Sequence, residues 1–341
     1  MRKVTALLVL KFLPVCSACV APTARSILTE SVAQDEVQSD IYVRSFGKES
    51  DQPIIFVHGG PGFHSYDFEK AAAAELAQLG FRVVVYDQRG QGRSGDAESS
   101  AFTYRRYAED LMQIIRAYRL KAPILIGHSH GGPITIAFTK QFPGVARKVV
   151  LASAPVNFSA AIESMMDNCD AVYRENGDND GIANIAFIRD HLANRYADMT
   201  TEQRVGIVAT LFQYHALQRC KLYEPRVSTP QATALRRLVY VDEPLRLPDG
   251  TGLKAMPGFL ANENYIRRNW LSDVRANPGL FCGVYGNEDG LFTQSVLSEI
   301  AAAVGDGEGD DRFAIVTGAS HGLYIDQREK FFAAMRDVCG F

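Results

Sequence analysis

The sequence predicts an α/β fold: a mostly parallel central sheet, helices on both faces, and a helical cap inserted late in the chain. Three observations point there. Short apolar runs alternate with longer helix-like stretches, the pattern of parallel strands joined by crossover helices. That alternation stops between Pro155 and Asn277, where the chain is long, polar and helix-rich. Gly127-His128-Ser129-His130-Gly131 stands between an apolar run and a helix-like one, as a sharp strand-to-helix turn would.

The first strand is expected at 41–46. The runs Ile54-Ile55-Phe56-Val57 and Phe81-Arg82-Val83-Val84-Val85-Tyr86 give strands near 53–57 and 81–86. Near-continuous apolar runs of this kind suit strands covered on both faces. Pro123-Ile124-Leu125-Ile126 gives the strand near 123–127, and others follow near 147–152, 280–285 and 312–317. Helices are expected near 66–79, 103–119, 133–142, 292–303 and 324–338. The domain layout is therefore a leader at 1–24, a core at 38–154 and 278–341, and the cap at 155–277.

The pentapeptide has the form of a nucleophile elbow, in which the serine hydroxyl projects from a strained turn at a helix N-terminus. A serine hydroxyl needs a base, and the base needs an orienting acid. In chain order these follow the serine, each after a late strand. Asp289, in the turn Gly286-Asn287-Glu288-Asp289-Gly290, is the expected acid, with Glu288 as the alternative one residue away. His321, in Gly318-Ala319-Ser320-His321-Gly322, is the expected base. His58-Gly59-Gly60-Pro61-Gly62 follows the strand near 53–57. It is the loop expected to supply one backbone donor to an oxyanion, from Gly60 or Gly59, with the amide of His130 as the second. His58 is expected to pack under this loop. The loop Asp87-Gln88-Arg89-Gly90-Gln91-Gly92-Arg93-Ser94 reads as structural support, with Arg89 and Arg93 pairing with Asp87 or Asp110.

These three segments together resemble the α/β-hydrolase superfamily and, within it, the prolyl aminopeptidase branch, which carries HGGPG followed by DQRGxGxS. Where that branch usually has tryptophan after the nucleophile, this chain has His130. The resemblance covers about residues 40–155 and 278–338. It implies an α/β-hydrolase fold and hydrolysis through Ser129, Asp289 and His321. The branch holds the substrate's free amine with cap glutamates, and Glu263, in Asn262-Glu263-Asn264-Tyr265-Ile266, matches one of them; the other reading of Glu263 is an ordinary helix-surface residue. Three functions follow: an aminopeptidase-like hydrolase acting on N-terminal residues such as proline, an esterase or lactonase acting on small acyl compounds, or a non-catalytic relative that binds a ligand. The substrate is in each case a small molecule or short peptide.

Composition agrees with a soluble enzyme. The chain has 341 residues, 47% of them hydrophobic, enough for a large core. Its 36 basic and 39 acidic residues are scattered, and the net charge of −3 argues against a nucleic-acid partner. No run of about 20 apolar residues suggests a transmembrane helix in the folded part. Met1-Arg2-Lys3 followed by an apolar stretch has the layout of an export signal, and a lipid-anchored form would start at Cys19. The alternative is a cytoplasmic protein. Cys169 and Cys220 both fall in the cap and could bridge it, whereas Cys282 is expected to pack as a small buried hydrophobe. Asn176–Gly181 looks like half a calcium loop, but Phe187 stands where the bidentate glutamate belongs, so a polar turn is expected and no metal. No cofactor is expected either. The acidic stretch 305–311 reads as a solvated loop.

Overall fold

The structure is a computed structural model that describes residues 40–305 and 312–341. The leader and residues 306–311 of the acidic stretch lie outside the described residues. Seven strands form one sheet in the order β1-β3-β2-β4-β5-β6-β7: β1 (Val43–Phe46), β2 (Gln52–Val57), β3 (Phe81–Tyr86), β4 (Ile124–His128), β5 (Lys148–Ala152), β6 (Phe281–Gly286) and β7 (Phe313–Val316). Only β1 runs antiparallel to its neighbour, pairing Val43 with Tyr86. The other pairs are parallel.

The apolar strands divide their side chains between two cores, as a period of two requires. Ile55, Val57, Val84, Leu125 and Leu151 enter one core, together with the helix Tyr104–Ala117 and the insertion. Ile54, Phe56, Val83, Ile126 and Val150 enter the other, closed by the C-terminal helix Arg328–Cys339. A disulfide crosses that face: Cys282 is bonded to Cys339. The expectation for Cys282 is corrected here. It is buried in mid-strand, but it is also half of a disulfide, because the C-terminal helix brings Cys339 over β6.

Between β5 and β6 the chain leaves the sheet. Its two stems pair where it does so: Phe158 N–H donates to the Arg268 carbonyl at 2.9 Å and Trp270 N–H to that of Val156 at 2.8 Å. The intervening helices include Phe158–Glu175, Asn179–Asp190, Thr201–Ala209, Pro230–Arg237 and Ala255–Glu263. The Cys169–Cys220 bridge ties the first of these to residues 51 positions later. Asp178, in the half-calcium-loop sequence, accepts the Gly181 N–H at 2.9 Å and so caps a helix. No described helix is long and apolar enough to cross a membrane.

Candidate active site

β4 ends in His128, and the next residue, Ser129, has φ +51°. That left-handed conformation is strained for serine. It is fixed by the Ser129 N–H donating to Ala152 O at 3.0 Å and by the Ser129 carbonyl accepting from Gly132 at 2.9 Å. The helix Gly131–Gln141 starts at once. It passes so close to β2 that a Cβ on Gly131 would lie 2.0 Å from the Val57 carbonyl oxygen. Any larger residue would push the helix off the strand. Ser129 is half-buried and sits at the helix N-terminus, where the first N–H groups lack intrahelical partners.

The HGGPG loop lies against the serine. A Cβ on Gly59 would be 2.8 Å from Ser129 Cβ and 3.3 Å from its Oγ. Gly60 turns away with φ +130°. The loop is pinned from below by Gln91, whose side-chain Oε1 accepts the N–H groups of Gly62 and Phe63. His58 does pack under it: Gln88 N–H donates to its Nε2 at 2.9 Å, and its Nδ1 bonds the Gly59 carbonyl at 2.7 Å. Burial lowers its pKa to about 4, so the ring stays neutral.

The Asp87–Ser94 loop pairs as its composition suggests. Arg93 bonds Asp87 and Glu69, and Arg89 bonds Asp110. Asp87 also accepts from Ser65 N–H and Oγ at 2.8 and 2.7 Å. Burial alone would raise the Asp87 pKa, but the Arg93 hydrogen bonds, the nearby charges and Ser65 outweigh it and hold the carboxyl at about 2.

Asp289 and His321 come together. Imidazole Nδ1 is 2.9 Å from Asp289 Oδ2, both groups are buried, and the other oxygen, Oδ1, accepts the Leu291 N–H at 3.1 Å. A carboxylate only accepts, so Nδ1 carries the proton and Nε2 is left as the basic nitrogen. Glu288 does not compete, because its carboxylate accepts the Arg226 N–H instead. His128, one residue before the serine, donates from Nε2 to the His321 carbonyl at 2.9 Å. Burial, and then the His321 ring, depress its pKa to about 3. The base loop is held a second time by Asp326, which accepts both N–H and Oγ of Ser320. Gln91, His128 and Asp326 are supporting residues that sequence reasoning did not single out. Only its place in the elbow, just before Ser129, gave a hint for His128.

His130 and Glu263 stand apart from the pair. The His130 side chain is buried among Tyr104, Phe158, Phe259 and Tyr265, its Nε2 3.3 Å from Tyr104 Oη. Burial lowers its pKa to about 3, and Nδ1 has no hydrogen-bond partner among the described residues. The ring is therefore core. Glu263 ends the helix Ala255–Glu263. Its Oε2 bonds Arg268 at 2.6 Å and its Oε1 accepts the Tyr104 N–H at 3.1 Å, at the start of the helix Tyr104–Ala117. Each oxygen thus has a partner within the protein.

The family model for the alpha/beta hydrolase fold matches residues 52–309. The chain belongs to this family. A non-heme chloroperoxidase of Burkholderia pyrrocinia is 36% identical over 118 residues, 34% of this chain and 41% of that protein. A proline iminopeptidase of Saccharolobus solfataricus is 30% identical over 120 residues, 35% of this chain and 38% of that protein. The chain thus spans about two fifths of the length of the curated relatives it matches. The crystal structure of a proline iminopeptidase-related protein from Thermus thermophilus superposes with a TM-score of 0.63 at 19% identity, over 92% of this chain and 98% of that one. At that identity the likeness concerns the fold, and the resemblance expected from the motifs agrees with it.

Proposed function

We propose that this member of the family is a serine hydrolase that forms an acyl-enzyme on Ser129. The observation that carries the reading is the buried His321–Asp289 hydrogen bond, in a loop whose backbone is bonded to the residue preceding Ser129. His321 takes the Ser129 proton as Oγ attacks the carbonyl carbon, then returns it to the leaving group. Water repeats the cycle on the acyl-enzyme. Asp289 holds the ring in the reactive tautomer and stabilises the imidazolium. The amides of His130 and of Gly59 or Gly60 receive the oxyanion. Each such donor is worth about 3–4 kcal/mol of barrier in comparable sites.

The substrate in this reading is an ester or lactone of a small acyl compound. Glu263 argues for it: its charge is already paired with Arg268 and its other oxygen accepts the Tyr104 N–H, so a substrate amine would have to compete for it. The second reading, an aminopeptidase acting on N-terminal residues such as proline, is favoured by the HGGPG and DQRGxGxS loops and by the iminopeptidase relatives. It requires a substrate ammonium to share Glu263 with Arg268 or to displace it. The reading includes export to an oxidising compartment. Two disulfides among the described residues support it, with residues 1–24 as the signal. Turnover of p-nitrophenyl acyl esters measured beside aminoacyl-nitroanilides tests the chemistry. Absence of both activities, with no labelling of Ser129 by a fluorophosphonate, would sink it. Fractionation of expressing cells tests the location.

A further inference from the structure

The acid and base loops are crossed by a short segment of the insertion, Cys220 to Arg226. It is bonded to both. The Leu222 carbonyl accepts the Gly290 N–H at 3.0 Å, and a Cβ on Gly290 would be 2.7 Å from Leu222 Cβ, so the two chains are in contact. Arg226 N–H bonds the Glu288 carboxylate. On the other loop, the Tyr223 carbonyl accepts Ser320 Oγ at 2.8 Å, one residue before His321.

The Tyr223 ring then meets the imidazole itself. Its centroid is 4.8 Å from that of His321, with the rings 83° apart. The His128 ring stands 4.9 Å from the same imidazole. His321 is thus in contact with one ring from the sheet and one from the insertion. A ring held only at Nδ1 can still swing about that hydrogen bond. Lateral ring contacts remove the freedom, and close positioning of this kind matters steeply for proton transfer. Burial, and then the Asp289 charge, raise the Tyr223 pKa, so the phenol is neutral and adds no competing anion.

The segment has its own anchor. Cys220, three residues before Tyr223, is bonded to Cys169. Next to Cys169, the Asn168 side-chain amide donates to the Gly290 carbonyl at 2.8 Å. The helix Phe158–Glu175 therefore grips the acid loop and the crossing segment through adjacent residues.

We propose that Tyr223 is a positioning residue for His321, its ring keeping the imidazole on Asp289, and that the Cys169–Cys220 bridge keeps Tyr223 in place. This rests on the proposed roles of Ser129, Asp289 and His321. The test compares Tyr223→Leu, Tyr223→Phe and the Cys169→Ser/Cys220→Ser pair in the full chain. Steady-state hydrolysis of a p-nitrophenyl ester and the downfield proton resonance of the His321 Nδ1–H are measured, with circular dichroism to confirm folding. Tyr223→Leu lowers kcat about 10- to 100-fold with KM nearly unchanged, and it broadens the resonance. Tyr223→Phe keeps both. The paired serine variant shifts both in the direction of Tyr223→Leu, by a smaller amount. If Tyr223→Leu does not fold, Tyr223→Met carries the same expectation. A Leu or Met variant with parent kcat and resonance overturns the proposal, as does a loss confined to KM or a Phe variant as impaired as Leu. The underlying reading fails separately, if Ser129→Ala retains turnover.

Discussion

Asp289 in the core and Glu263 in the insertion are both carboxylates that the sequence nominates for chemistry, and the structure treats them differently. Asp289 leaves the end of a fully buried strand, and its described side-chain partners are an imidazole and one backbone amide. Glu263 ends a helix on the insertion, where Arg268 and the first N–H of another helix share its charge. In the proposed reaction the first is aimed at the group that changes protonation. The second is neutralised by a cation that never does. A carboxylate's residue type and rough position do not decide between these fates; the partner delivered by the fold does.

The largest effect expected on the core side of this comparison belongs to Ser129. Ser129→Ala lowers kcat by about 10⁴- to 10⁶-fold without unfolding the chain, and a fluorophosphonate labels Ser129 in the parent only. Labelling mapped by mass spectrometry to another serine would remove the site from this loop altogether. Next comes the acid. Asp289→Asn costs roughly 10³- to 10⁴-fold in kcat, because an amide can hold the imidazole in the wrong tautomer. Glu288→Gln costs little, since its partner is the Arg226 amide. The reverse ranking, read from steady-state kinetics of the two purified variants, would transfer the role to Glu288.

The sheet and its loops were legible in the sequence because most strands, though not β1, are compact apolar runs and each nominated residue lies within a few positions after one. Ser129, Asp289 and His321 are nominated from strand order, loop chemistry and motif resemblance, and the structure brings Asp289 and His321 together. The contacts made by the insertion were not legible. Tyr223 reaches His321 across 98 residues of chain, through a segment with no motif and no periodicity of its own. The Cys282–Cys339 bridge was missed for a related reason: nothing local to mid-β6 announces which helix will cover it. His130 shows the limit in the other direction. Its position in the elbow pointed to its amide, but the destination of its ring depends on four aromatic side chains brought together from the helix Tyr104–Ala117 and from the insertion.

Two buried carboxylates within the core sharpen the same lesson about partners. Asp87 has Arg93, whereas the donors to Asp67 among the described residues are neutral: Tyr324 Oη at 2.8 Å and the Phe68 N–H at 2.8 Å. Burial, only partly offset by those bonds, raises Asp67 to about 6 from 3.8. The folded state therefore holds this proton more tightly than the unfolded state does. The stability it contributes is fully present below pH 3.8 and is lost as pH rises toward 6. Asp67→Asn should remove that fall, a relative gain at pH 7 over pH 4 of about 2–3 kcal/mol at most. Urea midpoints measured every half unit across this interval check it. An unchanged slope would mean that Asp67 is more hydrated than its packing indicates. Asp87 acts in a separate window, since its depressed pKa makes its contribution disappear only as pH drops below 3.8 toward 2.

The smallest expected effect is on the insertion side, and it discriminates between substrates. Arg268 is about half exposed, so its pair with Glu263 is screened, and Glu263→Gln should cost at most about 1 kcal/mol of stability. Gln keeps an oxygen for the Tyr104 N–H. Turnover of neutral esters should change by less than about twofold, because nothing bonded to His321 or Ser129 has moved. The informative measurement is the ratio of kcat/KM for an aminoacyl ester with a free α-amine to that of its N-acetyl form. If Arg268 keeps Glu263, the ratio is near one in the parent and does not respond to Glu263→Gln. If the substrate ammonium displaces Arg268, the ratio is large in the parent and collapses in the variant, because the uncharged competitor would leave a carboxylate poorly paired. The second outcome would turn the insertion from a cover into an amine reader and replace the esterase reading with the aminopeptidase one.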